Sequence, residues 1–449
     1  MEFDLEKILQ LGQKKGASEV EVYLTNTIAN EITAKKNSID QAVLEEVTRM
    51  GVRVALGKKI GAAGGVISSF RDVEKLLERA ISIAKTAQED KDWPGFNPKI
   101  GKASTEPDIY DKKTAELTPE ELVKLLQDQI GVITSHENVL LAEGGIASRI
   151  DYSYYANTNG EVLDGRATVF GYMLELKSKT AEGEGTFYDY FYKARFVPEK
   201  VDETTKNAVE MVLKAAEAKP VETFKGDLIL LQDEASSILD VLISPAISAE
   251  QAQQGRSPLI GKLDEKVLNE RITIVDDPFL PWELGSSSWD DEGHPTSRKL
   301  VFENGVFKTF LYDHYTASRE GKESTGNASR RSPWSKPSPA PTNLVLTIKG
   351  LQKNIDELIS DVERGVIVVR TIGSWMSNPV SGQINATVSF GFLVENGSVS
   401  RPMKGVVVTD NIYEVLGDRF VGASEPVECR GHVCTPILRA RDVTFSGKG

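Results

Sequence analysis

The four histidines of the chain are the first candidates for metal binding or acid–base chemistry: His136, His294, His314 and His432. No two of them are four residues apart, and there is no His-Glu-x-x-His motif, which would place two imidazoles on one helix face. His136 ends a predicted turn over residues 131–135, so we interpret it as a solvated loop histidine.

A second candidate is the acidic run at residues 290–294. Asp290, Asp291 and Glu292 offer three carboxylates beside the imidazole of His294, and such donors can hold a divalent cation. Successive side chains of a strand or loop point in different directions, however, so the carboxylates have no evident common focus. We interpret the run as an acidic turn and keep a metal site as the alternative.

A third candidate is the Cys-x-x-His-x-Cys pattern formed by Cys429, His432 and Cys434. Thiolate and imidazole are zinc ligands, but a structural zinc site needs four ligands and a catalytic one needs three and a water. Two cysteines in 449 residues do not make a disulfide framework. We interpret them as two ordinary thiols, with a metal site again as the alternative.

The stretch Ser324-Thr-Gly-Asn-Ala328 lies between arginines and is followed by four prolines from Pro333 to Pro341. This composition predicts an extended loop with polyproline character. The loop is either a surface connection or the wall of a cleft for an extended peptide. The chain has neither a Gly-Lys-Ser/Thr phosphate loop nor a Gly-x-Ser-x-Gly nucleophile elbow.

The elements that must position these residues fall into two predicted domains, because 449 residues exceed the size at which one core stops growing. Residues 1–220 alternate helix and strand signals, with an extended connection near residues 89–117, and predict an α/β layered domain. Helix starts are predicted at Asp4, at Ser69 with Asp72, and at Thr118 with Glu121.

Residues 221–449 predict a larger, mostly antiparallel β domain with a few packed helices, so the overall class is α+β. Hairpin turns are predicted at Asn304-Gly305 and Asn396-Gly397, and at Asn159-Gly160 in the first domain. A last helix of the first domain is predicted over residues 207–218.

Bulk composition narrows the functional classes. With 53 basic and 66 acidic residues, the net charge of −13 disfavours non-specific binding to nucleic acid. No apolar run has membrane-spanning length, and the start lacks the order of a secretory signal. We therefore expect a cytoplasmic protein that contacts neither nucleic acid nor membrane.

Several motifs together resemble the TldD/PmbA family, and the resemblance covers nearly the whole chain. They are Ser257-Pro-Leu-Ile-Gly-Lys-Leu-Asp-Glu265, Asp290-Asp-Glu-Gly-His-Pro-Thr296, Phe302-Glu-Asn-Gly-Val306, Leu311-Tyr-Asp313, Ser324-Thr-Gly-Asn-Ala328 and the Gly-Phe-Leu-Val-Glu-Asn-Gly run that ends at Gly397.

The resemblance implies a subunit of a peptidase complex that cleaves extended or unfolded peptides. In this family a TldD-type chain binds zinc through two histidines and a cysteine, and a TldE/PmbA-type chain is its partner. Here the place of the two histidines falls near residues 233–239, in a strand-to-helix segment without any histidine. Carboxylates alone would hold zinc poorly there.

We therefore expect a TldE/PmbA-like subunit with no catalytic residue, metal or cofactor of its own, and with zinc in a TldD-type partner. A heterodimer is the expected assembly, and a homodimer is the alternative. The residues expected to line a peptide cleft are Ser324, Thr325, Asn327 and Asn385. Two other hypotheses stay open: a metal-dependent peptidase active alone, and a peptide-binding scaffold without proteolysis.

Overall fold

The computed structural model describes residues 3–447. Its first part contains six long or medium strands and five helices. The strands are β1 (Glu19–Lys35), β2 (Ser38–Leu56), β3 (Lys59–Val66), β4 (Val139–Asn157), β5 (Leu163–Lys179) and β6 (Glu184–Lys193). The helices are α1 (Leu5–Lys14), α2 (Phe70–Thr86), α3 (Lys112–Ala115), α4 (Pro119–Thr134) and α5 (Pro198–Glu217).

The predicted helix starts are confirmed. The Asp4 side chain accepts a hydrogen bond from the backbone of α1, and capping boxes begin α2 at Ser69 and α4 at Thr118. The last helix was placed too late, because α5 begins at Pro198 rather than at residue 207. Proline is well suited to the first helical position, where no backbone donor is needed.

The first six strands form one antiparallel sheet in the order β3-β2-β1-β4-β5-β6. Alternation along β1 places Val22 and Ile32 on the same face, where the helices of the first part cover them. At Gly61 a Cβ atom would lie 2.1 Å from the Ala80 carbonyl oxygen, so α2 packs directly on the backbone of β3. The glycine-rich run of residues 61–65 is therefore part of β3, and its first glycine is a close backbone contact.

The second part contains mostly shorter strands and a few helices. The strands are β7 (Lys219–Pro220), β8 (Phe224–Leu230), β9 (Ile272–Asp276), β10 (Lys299–Glu303), β11 (Val306–Phe307), β12 (Ala328–Ser329), β13 (Ser338–Pro339), β14 (Leu344–Ile348), β15 (Arg364–Ile372), β16 (Gln383–Glu395), β17 (Ser398–Lys404), β18 (Val406–Asn411), β19 (Phe420–Arg430) and β20 (Val433–Ser446). The helices are α6 (Gln232–Ala246), α7 (Ala249–Gln253), α8 (His314–Arg319), α9 (Ile355–Ile359), α10 (Ile412–Val415) and a 3-10 turn (Ser374–Met376).

Five of these strands close into a barrel. Strand β20 pairs with β8, β8 with β15, β15 with β16, and β18 joins β16 back to β20. The pairs β8–β15, β14–β20 and β7–β17 are parallel, which the sequence did not predict, whereas the other pairs are antiparallel. The mixed class with a larger, mostly β second part is confirmed.

Two of the three predicted hairpin turns are confirmed. Asn304 and Gly305 have φ of 47° and 80°, and Asn396 and Gly397 have 51° and 76°, as a two-residue turn of this kind requires. The prediction at Asn159-Gly160 was wrong, because β4 ends at Asn157 and a longer loop leads to β5. There the Asn159 side chain donates to the Phe96 carbonyl and anchors the extended connection.

The two parts share apolar packing. Val201 and Val212 of α5 belong to the same buried cluster as Ile229 of β8, Ile367 of β15 and Phe390 of β16. The barrel and α6 have a second cluster of their own. Within residues 3–447, no helix is both long enough and apolar enough to cross a bilayer.

Candidate functional site

Three of the four residues expected to line a peptide cleft lie together. Thr325 Oγ1 donates to Asn327 Oδ1 over 2.7 Å, and Ser324 Oγ donates to the Tyr312 carbonyl over 3.2 Å. The amide of buried Asn327 donates to Asp276 Oδ2 over 2.7 Å and to the Ala340 carbonyl over 3.0 Å. These three side chains therefore already have hydrogen-bond partners within the protein, in the loop and at Tyr312 and Asp276.

Asn385 lies elsewhere, exposed on β16. Its backbone N–H donates to Ser377 Oγ over 3.0 Å, beside the 3-10 turn. The structure therefore brings Ser324, Thr325 and Asn327 together but not Asn385. Their role in peptide binding stays a prediction.

The acidic run at residues 290–294 forms a buried turn whose carboxylates diverge. Asp290 accepts from the backbone N–H groups of Glu292, His294 and Ala328, each over 2.9 Å. Asp291 accepts from Tyr23 Oη over 2.9 Å. Within residues 3–447, no group of three or more His, Cys, Asp or Glu side chains is arranged to hold a metal ion.

Asp291 belongs to a charge network that ties the turn to the first sheet. Arg330 donates from its backbone to Asp291 Oδ2 over 2.6 Å, and its guanidinium lies 2.6 Å from Glu21 of β1. Glu21 also pairs with Arg53 at 3.2 Å and accepts from Tyr155 Oη over 3.0 Å. Burial alone would raise the pKa of Glu21, but the two guanidinium groups outweigh it and hold that pKa below its usual range.

The pKa of Glu292 is shifted in the opposite direction to that of Glu21. Burial, together with the nearby carboxylates of Asp313 and Asp290, raises the pKa of Glu292 well above its usual range. Its Oε2 accepts from the His314 backbone N–H over 2.9 Å. A proton on this carboxyl is thus favoured by folding.

Glu292→Gln should therefore flatten the dependence of stability on pH. A group whose pKa is raised by folding contributes stability at low pH and loses it as pH rises through the folded pKa. We expect the variant to be more stable than the native chain by about 1 kcal/mol at pH 8 and to differ little at pH 5. Urea unfolding at both values measures this, with the exposed turn variant Glu137→Gln as the control. Equal pH profiles for the native chain and Glu292→Gln would contradict the assignment.

Cys429 and Cys434 form a disulfide across the β19–β20 hairpin. The interpretation as two ordinary thiols was wrong, because the two-residue turn places these cysteines directly opposite each other. His432, in that turn, has its Nδ1 2.9 Å from the Thr342 carbonyl oxygen. A disulfide offers no thiolate, so the arrangement does not favour the metal-site alternative.

The strand-to-helix junction after residue 228 carries a second charge network, which we call the charge cluster: Asp189, Asp233, Glu234, Arg370 and Arg430. Asp233, in the first turn of α6, lies 2.8 Å from the Arg370 guanidinium and 2.5 Å from that of Arg430. Asp189 of β6 lies 3.4 Å from Arg370. Glu234 accepts from Thr371 Oγ1 over 2.6 Å.

Burial raises the pKa of both Asp189 and Glu234. Two guanidinium groups thus sit among three carboxylates in a largely buried site. A zinc ion does not fit these donors, since Asp233 already faces two positive charges and no imidazole or thiolate is present among the five residues.

Sequence reasoning located Asp233 and Glu234 but missed Asp189, Arg370 and Arg430. Asp189 could have been found from the sequence, because it occupies a core-facing position of β6 between Phe187 and Phe191. A carboxylate at a core position implies a buried cation partner. Nothing in the sequence shows that this partner comes from β15 and β19.

Two open spaces lie near these networks. A cavity of about 550 Å³ borders the charge cluster, lined by residues 190–193, Lys200, Glu283, Leu284 and residues 426–431. A larger groove of about 820 Å³ lies against the first sheet, beside Trp289 and Asp291. Both volumes fall in the range of ligand-binding clefts.

Two segments of the chain match family models. Residues 20–84 match the PmbA/TldA metallopeptidase domain 1, and residues 223–447 match the PmbA/TldA metallopeptidase C-terminal domain. An uncharacterized protein of Methanocaldococcus jannaschii is 31% identical over 447 residues, 99% of each chain. The metalloprotease PmbA homolog of Haemophilus influenzae is 23% identical over 444 residues, 98% of this chain and 94% of that one.

The fold has a close counterpart among solved structures. The crystal structure of TldE from Thermococcus kodakarensis superposes with a TM-score of 0.89 at 24% identity, over 99% of this chain and 100% of that one. Sequence and fold together define a metallopeptidase-like protein built on two large sheets and a small two-stranded one. The chain belongs to the PmbA/TldD family.

Proposed function

We propose that this chain is the non-catalytic, TldE/PmbA-like subunit of a zinc metallopeptidase complex of the TldD/TldE type. Its partner is a TldD-type chain that carries the zinc, and the heterodimer works in the cytoplasm on extended or unfolded peptides. The chain itself holds no cofactor in this proposal.

The observation that carries the proposal is the state of Asp233 and Glu234. A metal-binding helix needs donors whose lone pairs are free to face a cation. Here Asp233 is paired with Arg370 and Arg430, and Glu234 is bound to Thr371. Positive charge is already supplied by side chains at this junction.

The similarity to named relatives supports the same assignment. The Haemophilus influenzae relative is a metalloprotease PmbA homolog, and the similar crystal structure is of a TldE. An inactive subunit can still shape a chamber and bind substrate backbone, tasks that need no metal.

The test is reconstitution. The chain is purified alone and with a TldD-type chain from the same genome, and cleavage of unfolded casein is followed with and without a chelator. We expect no cleavage by the isolated chain, a stable complex on size-exclusion chromatography, and zinc-dependent cleavage by the complex. Chelator-sensitive cleavage by the chain alone would overturn the proposal, and a complex that never cleaves would favour the scaffold hypothesis.

A further inference from the structure

The cavity beside the charge cluster lies between two strand edges, and we call it the edge cleft. One wall is β6, the last strand of the first sheet. The other is the β19–β20 hairpin, in which residues 428–430 of β19 pair with β20 and with no other strand of residues 3–447. An edge strand has backbone groups available for another chain.

The outward groups of β6 can be assigned by alternation. The Tyr188 carbonyl accepts from Arg370 Nε over 3.2 Å, and the Tyr190 carbonyl accepts from Arg430. In an antiparallel pair every second residue points its N–H and C=O away from its neighbour. Tyr192 therefore also points outward, and neither of its backbone groups is hydrogen-bonded to residues 3–447.

The same reasoning applies to β19. Gly431 and His432 form a two-residue turn with Gly431 at φ 59°, so the flanking pair Arg430–Val433 is the hydrogen-bonded one. The next pair, Cys429–Cys434, is then the non-bonded kind. The N–H and C=O of Cys429 face away from β20, toward the cleft it lines, and have no partner in the described chain.

The Arg430 side chain fills one end of the gap between the β6 edge and the β19 edge. Its side chain leaves β19 and reaches the Tyr190 carbonyl of β6, and its guanidinium also binds Asp233. The Tyr190 N–H is taken by Asp189 Oδ1 over 2.9 Å. Side chains of the charge cluster thus close the gap at residues 188–190, and the gap is open from Tyr192 onward.

The rim of the open part is apolar and its charge is slightly positive. Tyr192, Leu284 and Val427 are 43%, 39% and 45% exposed, enough for each to contact an incoming side chain. Three basic and two acidic residues line the cleft, in a chain whose net charge is −13. Lys193 is paired with Glu283, whereas Lys200 has no ion pair within residues 3–447.

We propose that the edge cleft binds an extended peptide segment as a strand between Tyr192 and Cys429, with its apolar side chains on the rim and a carboxylate near Lys200. This inference deepens the proposed function and rests on it for the source of the peptide. Because the cleft would recognise the peptide through hydrogen bonds to its backbone, peptides of many different sequences should bind.

The test uses the native chain and a defined probe. A fluorescein-labelled heptapeptide alternates valine with serine and ends in a free carboxylate, and a second copy is N-methylated at alternate amides. Fluorescence anisotropy should show binding of the first probe and at least tenfold weaker binding of the second. Equal affinity, or no binding of the unmodified probe, would overturn the proposal.

A rim variant checks the location. Val427→Asp should weaken binding at least tenfold, whereas Val399→Asp, which changes an equally exposed valine on β17, should not. Unchanged binding by Val427→Asp would place the peptide elsewhere.

The outcome is separable from that of the proposed function. If the chain fails to bind the probe but still supports zinc-dependent cleavage by its partner, only the proposal of peptide binding in the edge cleft is contradicted. A chain that binds the probe but never pairs with a TldD-type chain refutes the proposed function alone.

Discussion

Arg370→Ala should lower the free energy of unfolding by about 3–5 kcal/mol, since it breaks a buried ion pair and leaves the partner charges uncompensated. The guanidinium lies against Asp189 and Asp233 and also donates to the Tyr188 and Val369 carbonyls. Its loss leaves Arg430 as the remaining cation of the charge cluster. Urea unfolding at pH 7 measures the effect.

The matched control is Arg441→Ala, because Arg441 is an exposed arginine of β20. We expect that variant to stay within about 0.5 kcal/mol of the native chain. Arg370→Lys should lie between the two, because an ammonium group cannot reproduce the forked contacts of a guanidinium. If Arg370→Ala lowered the free energy of unfolding by less than about 1 kcal/mol, the charge cluster would not contribute substantially to the stability of the strand-to-helix junction.

Arg330→Met should cost a similar amount, about 3–5 kcal/mol. This fully buried guanidinium joins Glu21 of the first sheet to the Asp291 and Ser335 carbonyls of the second part. Without it the Glu21 carboxylate keeps, among the residues that the structure describes, only Arg53 and Tyr155 as hydrogen-bond partners. The measurement is again urea unfolding, read at pH 7, where Glu21 is charged.

A double-mutant cycle identifies the cause. Adding Glu21→Gln to Arg330→Met removes the stranded charge, so the two effects should be less than additive by at least about 1 kcal/mol. Arg331→Met is the neighbouring control, because Arg331 is exposed. If Arg331→Met were as damaging as Arg330→Met, the loop rather than the buried charge would explain the loss.

These two arginines also show what the sequence could reveal. Arg330 and Arg331 are adjacent and chemically identical, yet only Arg330 is buried against Glu21, more than three hundred residues away in the chain. Local patterns predicted the helix caps and two of the three Asn-Gly turns, because those depend on residues close in sequence. Long-range ion pairs depend on which strands become neighbours.

The charge cluster follows the same rule. The family resemblance located the junction at Asp233 and Glu234, and the sequence showed that no histidine is present there. Its other members come from β6, β15 and β19, which are far apart in the chain and meet only in the folded structure. The parallel pair β8–β15 was missed because short apolar strands carry no mark of their direction.

The expected peptide-cleft residues illustrate a different difficulty. Ser324, Thr325 and Asn327 are polar and lie in a loop rich in turn residues, as binding residues often do. In the structure these side chains hydrogen-bond to each other, to the Tyr312 carbonyl and to Asp276, and a motif alone does not distinguish such bonds from ligand binding.

The apolar cluster shared by α5, β8, β15 and β16 has a mechanical consequence. Bending the two parts of the chain about a hinge would expose that cluster to water at a cost of about 25 cal/mol for each square ångström uncovered. Bending between the two parts is therefore unfavourable. In the proposed heterodimer, we therefore expect an opening that admits a polypeptide to arise by movement of one chain against the other.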